Sequence, residues 1–202
     1  MTARDTPPHA TDVALVVLAG GAARRMGGMD KTQLLFGGAT LLDRAAHAAP
    51  RADPVVVVGP PREVSRPVRW VREDPVGGGP AAALGAGLQV VPPGRAVLVL
   101  AADLLRATEL ASALLSDPLQ SDLRVVLDTS GAPQWAACLL SPGVADAVRA
   151  DPPPAGASLR ATLGSWDHAG VAVDEFTALD VDTPDDLRLA RRRQSASEDS
   201  TS

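Results

Sequence analysis

The sequence predicts an α/β fold of three layers, in which a doubly wound, mostly parallel sheet lies between helices. Short runs of valine, leucine and alanine alternate along the chain with longer alanine-rich segments, which is typical of buried strands connected by helices. The composition favours the same fold class, because 46% of the residues are hydrophobic, only 2% are aromatic and none is tyrosine. A core of valine, leucine and alanine suits parallel strands that helices cover on both faces.

The predicted elements alternate along most of the chain. Strands are expected at about 13–19, 55–58, 68–71, 96–101, 123–127, 134–140 and 176–181. Helices are expected at about 40–49, 81–91, 107–116, 143–150 and 158–163, and a last helix follows Thr183-Pro184. Residues 13–193 are predicted to form a single domain, and the polar residues 1–12 and 194–202 to be disordered tails. Such sheets bind ligands at the carboxyl ends of their strands, so the loops there are the expected site.

Charge, cysteine content and hydropathy exclude several classes of partner. The net charge is −5 and no long basic block is present, so we expect no nucleic acid partner. Cys138 is the only cysteine, which excludes an intrachain disulfide and favours a reducing compartment; we expect a buried apolar side chain rather than a nucleophile. The first 12 residues lack the apolar core of a signal peptide, and no apolar run is long enough to span a membrane. We therefore expect a cytoplasmic protein without a membrane partner.

The most informative segment is the glycine-rich loop at residues 18–31, which follows the first strand. It reads Leu-Ala-Gly-Gly-Ala-Ala-Arg-Arg-Met-Gly-Gly-Met-Asp-Lys. Glycines allow backbone N–H groups to approach an anion, and the arginines and Lys31 supply positive charge, so the loop predicts a phosphate site. It matches neither Gly-x-Gly-x-x-Gly nor Gly-x-x-x-x-Gly-Lys-Ser/Thr, and a dehydrogenase is disfavoured because the acidic residue that binds ribose is also missing. The alternative is an ordinary turn with solvated arginines.

Lys31 is the only lysine among the 19 basic residues of the chain. A compact ammonium can enter a tight phosphate site that a guanidinium cannot, so this lysine is a candidate for contacting phosphate. The alternative is that the single lysine occurs at this position by chance.

Two aspartates are candidates at the ends of other strands. Asp103 comes directly after the strand at 96–101, where a carboxylate can hold Mg²⁺ together with phosphate oxygens; alternatively, it caps the next helix. Asp74 precedes a second run of glycines, Gly77-Gly78-Gly79-Pro80, where a carboxylate can accept a hydrogen bond from a base. Alternatively, it is a turn residue before Pro75.

The order Leu-Ala-Gly-Gly, three residues, Arg-Met-Gly, two residues, Asp-Lys resembles the signature of the nucleotidyltransferases that activate molybdopterin, most closely the molybdenum cofactor guanylyltransferases. The resemblance implies a Rossmann-like nucleotidyltransferase fold. It also implies that the nucleotide is bound around Leu18, Ala19, Gly20, Gly21, Asp74 and Gly79, with Arg25, Lys31 and Asp103 as catalytic residues and Asp103 as the Mg²⁺ ligand. Cytidylyltransferase relatives tend to carry Ala-Gly in place of Gly20-Gly21, so the glycine pair favours guanine.

The chain departs from this family pattern in three places. Asp180-Val181-Asp182-Thr183-Pro184 replaces Asn-Ile-Asn-Thr-Pro, so Asp182 is either a second metal ligand or the N-cap of the last helix. Ala102-Asp103-Leu104-Leu105 replaces Cys-Asp-Met-Pro and keeps the aspartate, and Gly59-Pro60 stands where an asparagine is expected. The nucleotide half of the site therefore follows the pattern better than the acceptor half.

The reaction that the resemblance implies is nucleotidyl transfer. A phosphate oxygen of molybdopterin, or of its molybdenum form, attacks the α-phosphorus of GTP in the presence of Mg²⁺, and pyrophosphate leaves. Two alternatives stay open, because fold alone does not separate them. The first is a related nucleotidyltransferase that uses CTP or another phosphorylated acceptor, and the second is a nucleotide-binding protein that has lost catalysis.

Overall fold

The computed structural model describes residues 13–20 and 30–174. Seven strands form one sheet, in the order β5-β4-β1-β6-β8-β7-β9, and two short strands form a hairpin, β2-β3. The strands are β1 (Val13–Leu18), β2 (Leu35–Phe36), β3 (Ala39–Thr40), β4 (Val55–Val58), β5 (Arg69–Val71), β6 (Ala96–Ala101), β7 (Leu123–Leu127), β8 (Pro133–Leu140) and β9 (His168–Ala172). The helices are α1 (Leu41–His47), α2 (Gly79–Gln89), α3 (Ala107–Leu114), α4 (Pro142–Ala150) and α5 (Leu159–Leu163).

The sheet is mostly parallel, which confirms the predicted fold class. β1 pairs in parallel with β4 and β6, and β4 pairs in parallel with β5. β8 is the exception, because it runs antiparallel to both β6 and β7. The register places Leu18 opposite both Val58 and Ala101, and Val58 opposite Val71. The carboxyl ends of these four parallel strands are therefore level with one another.

Helices cover the sheet on both sides, as expected for three layers. One core contains Leu42 of α1 and Leu110 of α3, packed with alternate residues of β1 such as Leu15. The other contains Leu84 of α2 together with residues of α4 and α5, packed against the opposite face of β1. A Cβ added at Gly87 of α2 would lie 2.8 Å from Cγ1 of Val16, so glycine allows this helix to approach the sheet closely.

Two strand regions were not predicted from the sequence. β9 pairs in parallel with β7 at the edge of the sheet, and its sequence, His-Ala-Gly-Val-Ala, is mostly exposed and lacks the apolar run of a buried strand. The hairpin β2-β3 has only two residues in each strand, which is too short for a periodic pattern. The strand predicted at 176–181, the last helix and the two predicted tails lie outside the described residues. The domain limits 13–193 therefore stay a prediction beyond residue 174.

Cys138 lies in the core, as expected. Its side chain is fully buried in β8, and burial raises the pKa of the thiol to about 12. A thiol with that pKa stays protonated near neutral pH and is a poor nucleophile. In the described ranges, no helix combines the length and the apolar character needed to cross a bilayer.

Arg124 of β7 is a buried arginine whose side chain satisfies carbonyl oxygens at the end of α3. Its side chain is only 8% exposed, and its guanidinium donates hydrogen bonds to the carbonyl oxygens of Leu114 (2.8 Å), Asp117 (2.9 Å) and Pro118 (3.0 Å). These carbonyls belong to the last turn of α3 and the loop after it, where backbone acceptors lack partners within the helix. The positive charge also lies at the negative end of the helix dipole.

We expect Arg124→Met to lower the free energy of unfolding by about 3 kcal/mol, because it leaves buried carbonyl oxygens without a donor. Urea denaturation of the variant and the wild type measures this difference. Arg160→Met, at an exposed position of α5, is the matched control and should change stability by less than about 0.5 kcal/mol. Equal stability of the two variants would contradict the role given to Arg124.

Candidate functional site

The candidate site lies at the level carboxyl ends of β1, β4, β5 and β6. Three backbone hydrogen bonds continue the sheet by one residue at this edge. Ala19 N donates to Val58 O (2.8 Å), Gly59 N donates to Val71 O (2.9 Å) and Ala102 N donates to Leu18 O (3.0 Å). Residues 19, 59 and 102 are thus held side by side, and the half-buried Asp103 follows directly. The first glycine-rich loop and Asp103 therefore begin at neighbouring points of one edge.

The role of Ala19 differs in part from the expectation. The family resemblance implies that the amides around Leu18, Ala19, Gly20 and Gly21 bind the nucleotide. Because the N–H of Ala19 already donates to Val58 O, it is committed to the sheet. Gly20 is the first residue beyond that hydrogen bond, and it is half-buried. Backbone donors for a phosphate are accordingly expected from Gly20 onward.

Gly59 packs its backbone directly on the first loop. A Cβ at this position would lie 2.8 Å from both the carbonyl carbon and the oxygen of Ala19, a distance that backbone atoms cannot accommodate. Any other residue at 59 would push the first loop away from the end of β4. The glycine in place of the asparagine that the family resemblance led us to expect thus brings two backbones into direct contact.

The segment that bears Lys31 is fixed to the end of β4. Lys31 begins a short 3-10 helix, Lys31–Gln33, whose N-cap Asp30 accepts hydrogen bonds from the N–H (3.1 Å) and the hydroxyl (2.7 Å) of Thr32. Arg62 Nε donates to Asp30 Oδ2 at 2.6 Å and its Nη1 donates to the carbonyl oxygen of Pro60, two residues beyond β4. This ion pair holds Lys31, which is only 5% exposed, at the carboxyl edge of the sheet.

A second contact joins α1, which follows Lys31, to the loop that contains Asp103. Arg44 Nε donates to the carbonyl oxygen of Leu105 at 3.3 Å, and the Arg44 guanidinium lies 5.2 Å from the centre of the Phe36 ring. Lys31 and Asp103 consequently belong to elements that meet at the same edge of the sheet. If these two residues lay at opposite edges of the sheet, they could not form the predicted phosphate site together.

The second glycine-rich loop, residues 72–79, contributes the start of α2 to this edge. Gly77 and Gly79 have φ angles of +83° and +91°, which favour glycine. The helix begins at Gly79, and its N-cap Gly78 supplies no side-chain hydrogen bond to the first turn. The positive end of the helix dipole therefore faces the edge without a capping side chain. Asp74 lies exposed on this loop, accessible to a ligand.

Glu73 is a residue of this edge that sequence reasoning missed. Its side chain is 5% exposed, and its Oε1 accepts a hydrogen bond from Gly77 N at 3.1 Å. Both carboxylate oxygens also lie against Gly20, since a Cβ built there would be 3.2 and 3.3 Å from them. In the sequence, Glu73 and Asp74 are two adjacent carboxylates. Only the alternation of side chains after β5 indicates that one of them faces inward.

The structure places most of the predicted site residues at one edge of the sheet. Seven of them belong to this edge: Leu18, Ala19, Gly20, Lys31, Asp74, Gly79 and Asp103. Gly21, Arg25, Asp180 and Asp182 lie outside the described residues. The alternative that Asp103 caps the next helix is wrong, because α3 begins at Ala107 and its N-cap is Arg106, three residues beyond Asp103.

The donor set at this edge fits a magnesium ion that arrives with a nucleotide. Mg²⁺ keeps several waters and needs only one or two protein carboxylates besides phosphate oxygens. Over residues 13–20 and 30–174, no group of three or more His, Cys, Asp or Glu side chains forms a protein cage for a metal. Asp103, half-buried beside the first glycine-rich loop, is the carboxylate that could serve as such a ligand.

Comparison with known proteins identifies the family to which this chain is similar. Residues 15–173 match the model of the MobA-like NTP transferase domain family. A protein of Mycobacterium avium (strain 104), named probable molybdenum cofactor guanylyltransferase, is 32% identical over 191 residues, which cover 90% of this chain and 96% of that protein.

Two solved structures have the same fold. A homologue of Mycobacterium tuberculosis Rv0371c, from Mycobacterium sp. strain JC1, superposes with a TM-score of 0.71 at 23% identity, over 92% of this chain and 98% of that one. Molybdopterin-guanine dinucleotide biosynthesis protein A from Archaeoglobus fulgidus superposes with a TM-score of 0.64 at 19% identity, over 91% and 99%.

The ion pair between Asp30 and Arg62 predicts a pH dependence of stability. Burial raises the pKa of Asp30, but hydrogen bonds from Thr32 and Arg62, together with the Arg62 charge, outweigh this effect and hold the pKa below its usual value. Because the folded-state pKa is lowered, the stabilisation is present at neutral pH and is lost as the pH falls below about 4.

We expect Asp30→Asn to lower the Tm at pH 7, by the equivalent of about 1 kcal/mol or less because the pair is partly exposed. The difference from the wild type should shrink as the pH falls below about 4, because the wild-type carboxylate takes up a proton at these low pH values and loses its charge. Thermal unfolding from pH 7 to pH 3 measures it, with the exposed Asp167→Asn as control. A difference that stays constant over this range would contradict the role of the pair.

Proposed function

The chain belongs to the MobA-like NTP transferase family, and on that basis we propose that it transfers GMP from GTP to the phosphate of molybdopterin or of the molybdenum cofactor. An oxygen of the acceptor phosphate attacks the α-phosphorus of GTP. A new P–O bond forms, the bond from the α-phosphorus to the bridging oxygen breaks, and pyrophosphate leaves. The observation that carries the proposal is the meeting of the first glycine-rich loop, Lys31 and Asp103 at one edge of the sheet.

In this reaction the chain positions the triphosphate and neutralises its charge. Phosphoryl chemistry of this type needs no protein nucleophile, which agrees with the buried, protonated Cys138. Gly20 and the uncapped start of α2 are proposed to offer backbone N–H groups to phosphate oxygens. Lys31 places an ammonium where negative charge develops on the leaving pyrophosphate, and Arg25 is proposed to assist it.

We propose Mg²⁺ as the metal and Asp103 as its protein ligand. When bound, the ion would supply positive charge that lowers the negative charge that the attacking oxygen meets. Asp103 is suited to hold it because Ala102, which precedes it, is hydrogen bonded to the end of β1, so the carboxylate is anchored beside the first glycine-rich loop.

The single, buried cysteine supports a reducing cytoplasm as the setting of the reaction.

Guanine is the proposed base, with Asp74 exposed at the second loop as the candidate acceptor for its N–H groups. Thermal-shift titrations with Mg-GTP, Mg-CTP and Mg-ATP test this choice, since a ligand raises stability by RT ln(1 + [L]/Kd). We expect Mg-GTP at 100 times its Kd to stabilise the protein by about 2.7 kcal/mol, and the other two nucleotides to stabilise it less at equal concentration. A larger shift with Mg-CTP would overturn the choice of guanine.

Substitution of the two charged residues tests the catalytic roles. We expect Lys31→Ala and Asp103→Ala each to reduce pyrophosphate release in the presence of molybdopterin by ~100-fold or more, the scale of losing one preorganised stabiliser. Lys31→Arg should also lose most activity, because a guanidinium does not fit the space of an ammonium.

Asp151→Ala, at an exposed position after α4, is the control and should keep the wild-type rate. Near-normal rates in both alanine variants at the site would rule out these roles. Wild-type binding of Mg-GTP without release of pyrophosphate when molybdopterin is present would favour a nucleotide-binding protein that has lost catalysis.

A further inference from the structure

Glu73 is a buried carboxylate whose position the proposed reaction does not explain. In the described part of the chain only four polar or charged residues are buried, and Glu73 is one of them. Its carboxylate stands between the two glycine-rich loops, with Oε1 accepting the N–H of Gly77 in the second loop and both oxygens packed on Gly20 in the first.

The contact bears on why residue 20 is glycine. The backbone of Gly20 is not in the left-handed region, so its conformation is open to other residues. A Cβ at this position would lie 3.2 Å from Oε1 and 3.3 Å from Oε2 of Glu73, tighter than nine in ten observed Cβ contacts. A side chain at residue 20 would therefore displace the Glu73 carboxylate by a few tenths of an ångström. Glycine leaves the carboxylate in its place between the two loops.

Burying this carboxylate costs free energy, which favourable contacts elsewhere must offset. Oε2 is buried and makes no hydrogen bond with any described residue. A buried charged acceptor with an unfilled hydrogen-bonding position costs roughly 1–3 kcal/mol or more. An apolar side chain of similar size could fill the same space at less cost. It could not accept the Gly77 N–H, so the loop and Gly20 would lose their common contact.

We propose that Glu73 is a positioning residue of the nucleotide site, which holds the two glycine-rich loops at the separation that a nucleotide bridges. The proposal rests on the function proposed above. Through Gly77 it sets the approach to α2, whose first turn offers N–H groups, and through Gly20 it sets the start of the first loop. Loss of this contact lowers the fraction of protein that is ready to bind, and the apparent Kd rises in proportion to that loss.

Two substitutions separate the contact from the charge. Glu73→Ala removes both contacts, and we expect it to raise the Kd for Mg-GTP ~10-fold or more, with turnover at saturating nucleotide within ~3-fold of the wild type. Glu73→Gln keeps the shape and a carbonyl oxygen for the Gly77 N–H, so its Kd should stay within ~3-fold. Glu63→Ala, which alters an exposed glutamate between β4 and β5, is the matched control and should leave the Kd unchanged.

Titration calorimetry on the folded variants measures these constants, and the same series with Mg-CTP and Mg-ATP tests the mechanism. Positioning acts on the loops, so the fold-loss in affinity should be similar for every nucleotide that the wild type binds. A loss confined to GTP would mean that Glu73 contacts the base, and this would overturn the proposal. So would a Glu73→Ala variant with a lower Tm and a wild-type Kd, which is the result expected of a purely structural residue.

A double-mutant cycle tests the same contact if Glu73→Ala fails to fold. Gly20→Ala adds the Cβ that meets the carboxylate, and Glu73→Asp withdraws the carboxylate by one methylene group. We expect Gly20→Ala to cost at least ~5-fold more nucleotide affinity in the wild-type background than in the Glu73→Asp background. Equal costs in both backgrounds would overturn the proposal. If the wild type itself bound none of the three nucleotides, the proposed function would fail, whereas normal wild-type binding with no effect of these substitutions would refute only the role of Glu73.

Discussion

The site depends on the register of four parallel strands, which brings their carboxyl ends to one level. Leu18 lies opposite Val58 and Ala101, and three further hydrogen bonds extend this alignment to the residues that follow. A slip of one residue between β1 and β6 would exchange the side chains of one strand between the two cores, so the fit of the buried valine and leucine side chains in each core holds the register. The core thereby determines where Asp103 stands relative to the first glycine-rich loop. The arrangement of residues at the candidate site is therefore a consequence of hydrophobic packing.

Close packing acts at two of the glycines. Gly59 has a φ of +155° and packs on the carbonyl group of Ala19, and Gly20 packs against the carboxylate of Glu73. Residues 19 and 20, which begin the first loop, are therefore confined on two sides before any ligand arrives. A confined segment loses less conformational entropy on binding than a free one, so more of the interaction with a phosphate contributes to affinity. The same argument applies to Lys31, whose short helix is held through Asp30 and Arg62.

The sequence was sufficient for the fold class, for the strands at the centre of the sheet and for the edge at which the candidate residues meet. Strand β6 was predicted at its observed bounds, because a short apolar run between Arg95 and Asp103 has few other interpretations. β9 was missed because an exposed edge strand buries little and has no apolar pattern. Glu73 was missed for a different reason. A carboxylate in a loop is usually solvated, and the contact that Glu73 makes with Gly20, 53 positions earlier in the sequence, has no local sequence signal.

Three arginines satisfy the carbonyl oxygens at the ends of helices. Arg66 donates to the carbonyl oxygen of Ala46 at the end of α1, Arg149 to that of Leu88 at the end of α2, and Arg124 to that of Leu114 at the end of α3. A planar fork with several donors suits clustered carbonyl oxygens. The positive charges also lie at the negative ends of the helix dipoles. Lys31 lies at the opposite edge of the sheet, beside Arg62, where the proposed phosphate site calls for a compact ammonium, so the two kinds of basic side chain are not interchangeable there.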